Sequence, residues 1–142
     1  MTDTGTITTE IDAVQAFLAA LEAKDTDAAL ALLAPDATYQ NVPFPPARGR
    51  AAIEKQLRWL ERGIERFEVR YDHVASNGPV VLTERTDILT VGSVDIGFWV
   101  CGTFEVHDGQ ITLWRDRFDF LDVAWGVVKG AGRAIAARLR RG

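Results

Sequence analysis

The amino-acid sequence predicts an α+β fold in which three helices precede an antiparallel sheet and a fourth helix follows it. Apolar residues recur at helical spacing as far as Gly63. From Phe67 to Phe120 the pattern changes to segments rich in Val, Thr, Ile, Phe and Trp, separated by turn residues. We therefore expect one domain over residues 1–142, with a curved mixed or antiparallel sheet wrapped around a deep pocket.

The first helix is expected over about residues 9–23, behind a flexible N-terminus of residues 1–8. Asp25 or Thr26 caps a second helix, which we expect to stop at Pro35 because proline cannot continue a helix.

A short strand is expected next, over residues 37–42. The segment 43–46 contains three prolines and reads as a rigid loop. Gly49 and Arg50 lead into a third helix, which ends at Gly63.

A four-stranded antiparallel meander follows, with turns at residues 76–79, at Gly92-Ser93 and at Asp108-Gly109. The last turn decides which strand residues share a face. His107-Asp108-Gly109 fits a three-residue loop, which would place Asp116 on the same face as Asp87.

The C-terminal segment, residues 122–142, is expected to form a helix. It contains five basic residues, and no acidic residue follows Asp122. Two interpretations remain open. The segment is either a packing helix whose basic end suits the helix dipole, or a lid over the pocket that makes weak contact with membrane surfaces.

Composition excludes several classes of function. The chain has 16 Lys and Arg against 20 Asp and Glu, a net charge of -4, which argues against nucleic acid as a partner. Its single cysteine cannot form an internal disulfide, which favours the cytoplasm. The two histidines are not spaced like the ligands of a zinc site. The sequence also contains no P-loop motif, no Gly-x-Gly-x-x-Gly dinucleotide-binding motif and no Gly-x-Ser-x-Gly nucleophile motif. We expect neither a metal nor a cofactor.

Charged residues in the meander are the candidate catalytic groups. Arg85 and Asp87 are two apart, so they share a strand face, and the expected register brings Asp116 beside them. Carboxylates among aromatic residues are costly unless they are paired or functional. Tyr39 and Asn41 alternate on the short strand and can together hold a water molecule. In the expected register, Arg85, Val100 and Asp116 lie side by side on three neighbouring strands, and Asp87, Phe98 and Phe118 form the next such row.

Three motifs resemble those of the limonene-1,2-epoxide hydrolase family: Tyr39-Gln40-Asn41, the segment 82–87 (Leu-Thr-Glu-Arg-Thr-Asp) and the segment 114–119 (Trp-Arg-Asp-Arg-Phe-Asp). Their order and spacing match from about residue 10 to 120. The segment 98–102 also resembles the branch that accepts bulkier, lipid-like epoxides. The resemblance implies a cone-shaped nuclear-transport-factor-like or ketosteroid-isomerase-like fold.

The resemblance also implies an activity, the addition of water to an apolar epoxide to give a vicinal diol without a covalent intermediate. Asp116 would be the general base and Asp87 the protonated acid, with Arg85 bridging them. Tyr39 and Asn41 would position the water. A homodimer formed through the outer sheet face is implied as well, with Trp99 and Leu113 as candidate contacts.

Apolar residues near these groups are the candidate wall of the substrate pocket. They are Val42, Phe44, Leu57, Leu89, Phe98, Val100, Trp114 and Phe118.

Two alternatives from other classes stay open. A ketosteroid-isomerase-like or polyketide-cyclase-like enzyme also uses Asp and Tyr, but an Arg between two carboxyls does not suit its division into one base and one neutral donor. A non-catalytic module that binds apolar ligands would need no buried Arg or Asp.

Overall fold

The structure is a computed structural model that describes residues 9–142. The expected flexible N-terminus, residues 1–8, lies outside the described residues. The elements in chain order are α1 (Glu10–Glu22), α2 (Thr26–Ala31), β1 (Leu33–Val42), β2 (Ala47–Arg48), α3 (Arg50–Gly63), β3 (Arg66–Asn77), β4 (Val80–Val91), β5 (Val94–His107), β6 (Gln110–Phe118) and α4 (Phe120–Arg140). The α+β class and the four expected helices are confirmed.

The six strands form one sheet in the order β2-β1-β6-β5-β4-β3. Strands β3 to β6 are the expected antiparallel meander, and β1 joins β6 in parallel. That parallel pairing sets Tyr39 beside Trp114 and Asn41 beside Asp116. The N-terminal strand therefore delivers two polar side chains to the face that carries Asp116.

Strand β1 is longer than the sequence indicated, beginning at Leu33 rather than residue 37. Helix α2 ends at Ala31, so Pro35 lies within the strand and does not itself end the helix. Pairing of β1 with β6 is interrupted between Leu33 and Thr38. Because the proline falls in this irregular stretch, its missing N–H costs no bond to β6.

The expected register between β5 and β6 is wrong by two residues. The turn is a two-residue loop in which Asp108 and Gly109 both have positive φ (52° and 78°), as a type I′ turn requires. An irregularity after Glu105 then inserts one extra residue on β6. This bulge, rather than a three-residue turn, returns Asp116 to the inner face.

The resulting rows differ from the expected ones for β6 only. Arg85 lies opposite Val100, and Asp87 lies opposite Phe98, as predicted. Asp116, however, pairs with Gly102 instead of Val100, and Phe118 pairs with Val100.

Helix α1 buries its apolar stripe, including Val14, Phe17 and Leu18, which are all fully buried in the core. A capping box between Thr9 and Asp12 begins the helix. Helix α3 contributes buried Ile53 and Leu57 to the same core. These two helices cover the concave side of the sheet and leave a cavity between them and the strands.

Helix α4 continues along β5 beyond the point where β6 ends, since the last β6 residue, Phe118, pairs with Val100. Two of its glycines make this close approach possible. A Cβ on Gly126 would overlap the carbonyl oxygen of Gly97, and one on Gly130 would overlap that of Asp95. The glycines thus let the helix cover the strand edge left open by β6.

Among residues 9–142, no helix combines the length and the apolar character needed to cross a membrane.

Candidate active site

Three charged side chains meet on the concave face of the sheet, all nearly removed from solvent. Arg85 is 1% exposed, Asp87 5% and Asp116 6%. The guanidinium of Arg85 donates from Nε to Asp87 Oδ1 (2.8 Å) and from Nη2 to Asp87 Oδ2 (3.1 Å). Nη2 also donates to Asp116 Oδ2 at 2.9 Å. One planar cation therefore bridges two buried carboxyls.

The guanidinium lies over a residue that has no side chain. A Cβ on Gly102 would lie 2.5 Å from Arg85 Nη1, 2.7 Å from Thr83 Oγ1 and 3.0 Å from Asp116 Oδ1. Thr83, itself buried, accepts the hydrogen bond from Nη1 at 3.0 Å. Gly102 thus leaves the space through which Arg85 reaches across β5 from β4 to β6.

Tyr39 and Asn41 lie on the neighbouring strand β1. The Tyr39 ring stacks on Trp114, with ring centroids 3.7 Å apart, and Asn41 Nδ2 donates to the Tyr39 hydroxyl at 2.8 Å. Trp114 Nε1 in turn donates to Asp116 Oδ2 at 3.1 Å. Because the Tyr39 oxygen accepts from Asn41, its own hydrogen remains available to donate. The Asp116 Oδ1 atom, also buried, has no hydrogen-bond partner in the described chain.

A cavity of about 250 Å³ is lined by five of these polar side chains, Tyr39, Asn41, Arg85, Asp87 and Asp116, and its remaining wall is mostly apolar. Six of the eight apolar residues predicted for this wall are found there: Leu57, Leu89, Phe98, Val100, Trp114 and Phe118. Val42 is not, because side chains alternate along β1 and Asn41 takes the inward position. Phe44 lies beyond the strand, half exposed, and lines a neighbouring groove instead. No residue of α4 lines the cavity, so the structure favours the packing helix over the lid.

A family model and several known proteins resemble this chain. The model described as the limonene-1,2-epoxide hydrolase catalytic domain matches residues 8–129. Epoxide hydrolase EphG of Mycobacterium tuberculosis is 44% identical over 128 residues, which cover 90% of this chain and 85% of EphG. The chain belongs to the limonene-1,2-epoxide hydrolase family.

Solved structures agree with this assignment. An LEH-like epoxide hydrolase from M. tuberculosis is 43% identical and has a TM-score of 0.85, covering 90% of this chain and 96% of that one. An NTF2-like protein of unknown function from Burkholderia pseudomallei has a TM-score of 0.73 at 16% identity, covering 83% and 96%, and it shows the fold alone. The expected family, the nuclear-transport-factor-like fold and the epoxide hydrolase class are confirmed.

Burial shifts the pKa values of both carboxyls in this family member upward. Burial raises the pKa of Asp87 to about 6, while Arg85 opposes the shift and Asp116 adds to it. Burial also raises the pKa of Asp116, against the lowering effects of Arg85 and of the bond from Trp114. Burial alone would lower the pKa of Arg85, but Asp116 and Asp87 more than offset this and hold it above its usual value. The pair therefore favours one retained proton beside a permanent cation.

Sequence reasoning missed several residues that build this candidate site. Gly102 was given no role because its place opposite Asp116 depends on the bulge that shifts β6, which the sequence does not reveal. Thr83 carried a usable signal, since it precedes Arg85 by two positions on β4 and so shares its face. Four further apolar lining residues were also missed: Leu21, Leu60, Ile64 and Phe67. Leu60 carried a usable signal, since it follows Leu57 by three positions on α3 and so shares its face.

Within residues 9–142, no group of three or more His, Cys, Asp or Glu side chains is arranged to hold a metal ion. The polar groups that converge here are instead two carboxyls, a cation between them, and a hydroxyl-amide pair. This set is suited to moving protons at a small neutral molecule.

Proposed function

We propose that this protein hydrolyses an apolar epoxide to a vicinal diol in one step, with Asp116 as general base and Asp87 as general acid. The observation that carries the proposal is the buried guanidinium of Arg85, which holds both carboxyls by 2.8 to 3.1 Å hydrogen bonds. A cation that touches both members of the pair balances the single negative charge left when one proton is shared. It also fixes the distance between acid and base.

The nucleophilic water is held by three groups. The free hydrogen of the Tyr39 hydroxyl donates to the water oxygen, and the Asn41 side-chain oxygen accepts one water hydrogen. Asp116, which is paired with Asn41 across the strands, accepts the other hydrogen. This leaves one lone pair of the water directed at the epoxide carbon.

The reaction moves two protons. Asp116 takes a proton from the water as the water oxygen bonds to one epoxide carbon. The bond between that carbon and the epoxide oxygen breaks, and the oxygen takes the proton of Asp87. The products are a diol, a protonated Asp116 and an ionised Asp87. Transfer of a proton from Asp116 back to Asp87 through solvent then restores the starting state.

The isomerase-like alternative needs one ionised base and a separate neutral acid that donates to an oxyanion. Hydrogen bonds from one guanidinium to both carboxyls do not suit that division. In a non-catalytic binding module, the desolvation cost of burying Arg85, Asp87 and Asp116 would have no functional reason. Both alternatives are therefore less well supported than hydrolysis.

The test is diol formation from limonene oxide and from the bulkier stilbene oxide, after dialysis against a chelator. The wild type is expected to turn over at least one of them. Asp116→Asn is expected to lose this activity while it stays folded by circular dichroism. A folded wild type that opens no epoxide, or an Asp116→Asn variant with full activity, would overturn the proposal.

We propose that the protein is a homodimer formed through the outer face of the sheet. Leu82 and Trp99 are 53% and 44% exposed there, and Leu113 lies on the same face. Such exposed apolar residues are typical of an interface. Light scattering after size exclusion should give twice the chain mass for the wild type and a lower mass for Leu82→Glu combined with Trp99→Glu. A monomeric wild type contradicts this arrangement.

We also propose that α4, which packs along β5 and is not a lid over the cavity, makes weak contact with anionic membrane surfaces through its exposed side. Leu121 and Leu139 are 81% and 75% exposed, and Lys129 and Arg133 lie on the same helix. The full chain should sediment with anionic vesicles more than a Leu121→Glu, Leu139→Glu variant does. Equal sedimentation contradicts the contact. A cytoplasmic location is part of the proposal, because the free Cys101 suits a reducing compartment.

A further inference from the structure

A second depression opens next to the catalytic cavity, between the loop after β1 and helix α3. Its volume is about 440 Å³. The residues that line it are Tyr39, Asn41, Phe44, Pro45, Lys55, Gln56, Trp59 and Leu60. Hereafter it is called the Phe44–Trp59 groove.

The groove and the catalytic cavity meet at the groups that hold the water. Tyr39, Asn41 and Leu60 line both spaces. Helix α3 borders both spaces, since Leu57 lines the cavity, Trp59 lines the groove and Leu60 lines both. An epoxide placed against Tyr39 and Asn41 is therefore next to two spaces rather than one.

We propose that the Phe44–Trp59 groove binds the second substituent of a two-armed epoxide, an aromatic or alicyclic group on the ring carbon that faces Tyr39 and Asn41. This inference rests on the proposed epoxide hydrolysis and names the substrate class of the same site. The first substituent occupies the apolar catalytic cavity. The preferred substrate is accordingly an internal epoxide with a bulky group on each ring carbon.

Size supports this division. The catalytic cavity, at about 250 Å³, lies below the 300 to 1,000 Å³ typical of pockets for drug-sized ligands. A ring substituent on each epoxide carbon needs more room than that. In a trans-disubstituted epoxide the two substituents point to opposite sides of the ring, so the second substituent needs a space apart from the first. The groove is such a space, since it borders the cavity at Tyr39, Asn41 and Leu60.

The chemistry of the groove fits an apolar ring. Trp59 is 68% exposed and Phe44 is 53% exposed, although both are large aromatic side chains. Phe44 is held in place edge to face against Phe120, with centroids 5.8 Å apart. Aromatic side chains that border a groove can bind a ring substituent in a stacked or an edge-to-face arrangement. Lys55 and Gln56 form the polar rim.

The test compares a two-armed with a one-armed epoxide, trans-stilbene oxide and styrene oxide. The variant is Trp59→Ala, and the matched control is Trp125→Ala, a similarly exposed tryptophan on α4 that lines neither space. Because both side chains are exposed, neither truncation should unfold the protein, and thermal melting checks this. We expect Trp59→Ala to lower kcat/KM for trans-stilbene oxide about tenfold, chiefly through KM. Its activity on styrene oxide should stay within about twofold of the wild type.

Other results separate the failure of this inference from that of the proposed function. Styrene oxide turnover by the wild type, with trans-stilbene oxide unaffected by Trp59→Ala, overturns the groove assignment and leaves hydrolysis standing. An equal loss on both substrates, or an equal loss in Trp125→Ala, also overturns it. No turnover of either epoxide by the folded wild type overturns the proposed function and the subsite together.

Discussion

Substitution of Gly102 by alanine is expected to disable the site without touching any ionisable group. The new Cβ would lie 2.5 Å from Arg85 Nη1, whereas ordinary contacts begin at 3.4 Å. The guanidinium must therefore retreat by about 0.9 Å unless the strand itself shifts. A retreat of that size exceeds what the 2.9 Å bond to Asp116 and the 3.0 Å bond to Thr83 can absorb.

The size of the effect follows from this displacement. A misplacement of about 1 Å in a catalytic constellation costs on the order of 100-fold in rate, so kcat/KM should fall by about that factor. Overpacking should also lower the free energy of unfolding by about 1 to 3 kcal/mol. Diol formation, followed by chromatography, measures the first quantity, and urea denaturation measures the second.

The matched control is Gly132→Ala. A Cβ at Gly132, in α4, would meet no atom within 4 Å, and alanine is the better helix former. This variant should keep full activity and equal or higher stability. A folded Gly102→Ala variant with kcat/KM within about threefold of the wild type would refute the argument that the guanidinium needs this space.

Three further predictions concern the same charges. Thr83→Val leaves Arg85 Nη1 without its acceptor and should cost about 1 to 3 kcal/mol of unfolding free energy in urea, whereas an unchanged midpoint would show that the bond contributes nothing. The kcat/KM should fall as pH rises through about 6 because Asp87 loses the proton it must donate, so a rate that climbs with pH in stopped assays contradicts its role as acid. Since the folded pKa of Asp87 is raised from 3.8 to about 6, its contribution to stability is present at low pH and is lost as pH rises. That loss is about 2 kcal/mol between pH 4 and 7. In Asp87→Asn, the difference between the unfolding free energies at these two pH values, measured by chemical denaturation, should be smaller.

Much of the fold could be predicted because local signals and the final structure agree. The capping residues Thr9 and Asp25 begin α1 and α2 where the pattern indicated. The β4–β5 register followed from a two-residue turn at Gly92-Ser93, so Arg85 and Asp87 lie opposite the expected residues. Alternation then placed both side chains on the inner face.

The remainder depended on interactions that short motifs do not encode. A bulge near Glu105 sets the position of Asp116, and it lies within the paired strands, where no turn signal marks it. The interruption in the pairing of β1 with β6 around Pro35 was likewise not marked by any turn signal in the sequence. The outward position of Phe44 follows from the loop geometry after Asn41, where the Phe44 N–H bonds to the Asn41 carbonyl. The meeting of Arg85, Asp87 and Asp116 was nonetheless predictable, because the expected three-residue turn and the observed two-residue turn with its bulge both bring Asp116 to the inner face.

The central claim is that water attacks the epoxide directly, activated by Asp116, with no covalent bond to the protein. A single-turnover reaction in ¹⁸O-labelled water, with enzyme in excess over the epoxide, tests this most directly. Direct attack predicts one ¹⁸O atom in the diol of the first turnover and none in Asp116 or Asp87. Unlabelled diol in that turnover, with ¹⁸O retained in a carboxyl of the protein, would show that a carboxylate had attacked the epoxide and would contradict the account.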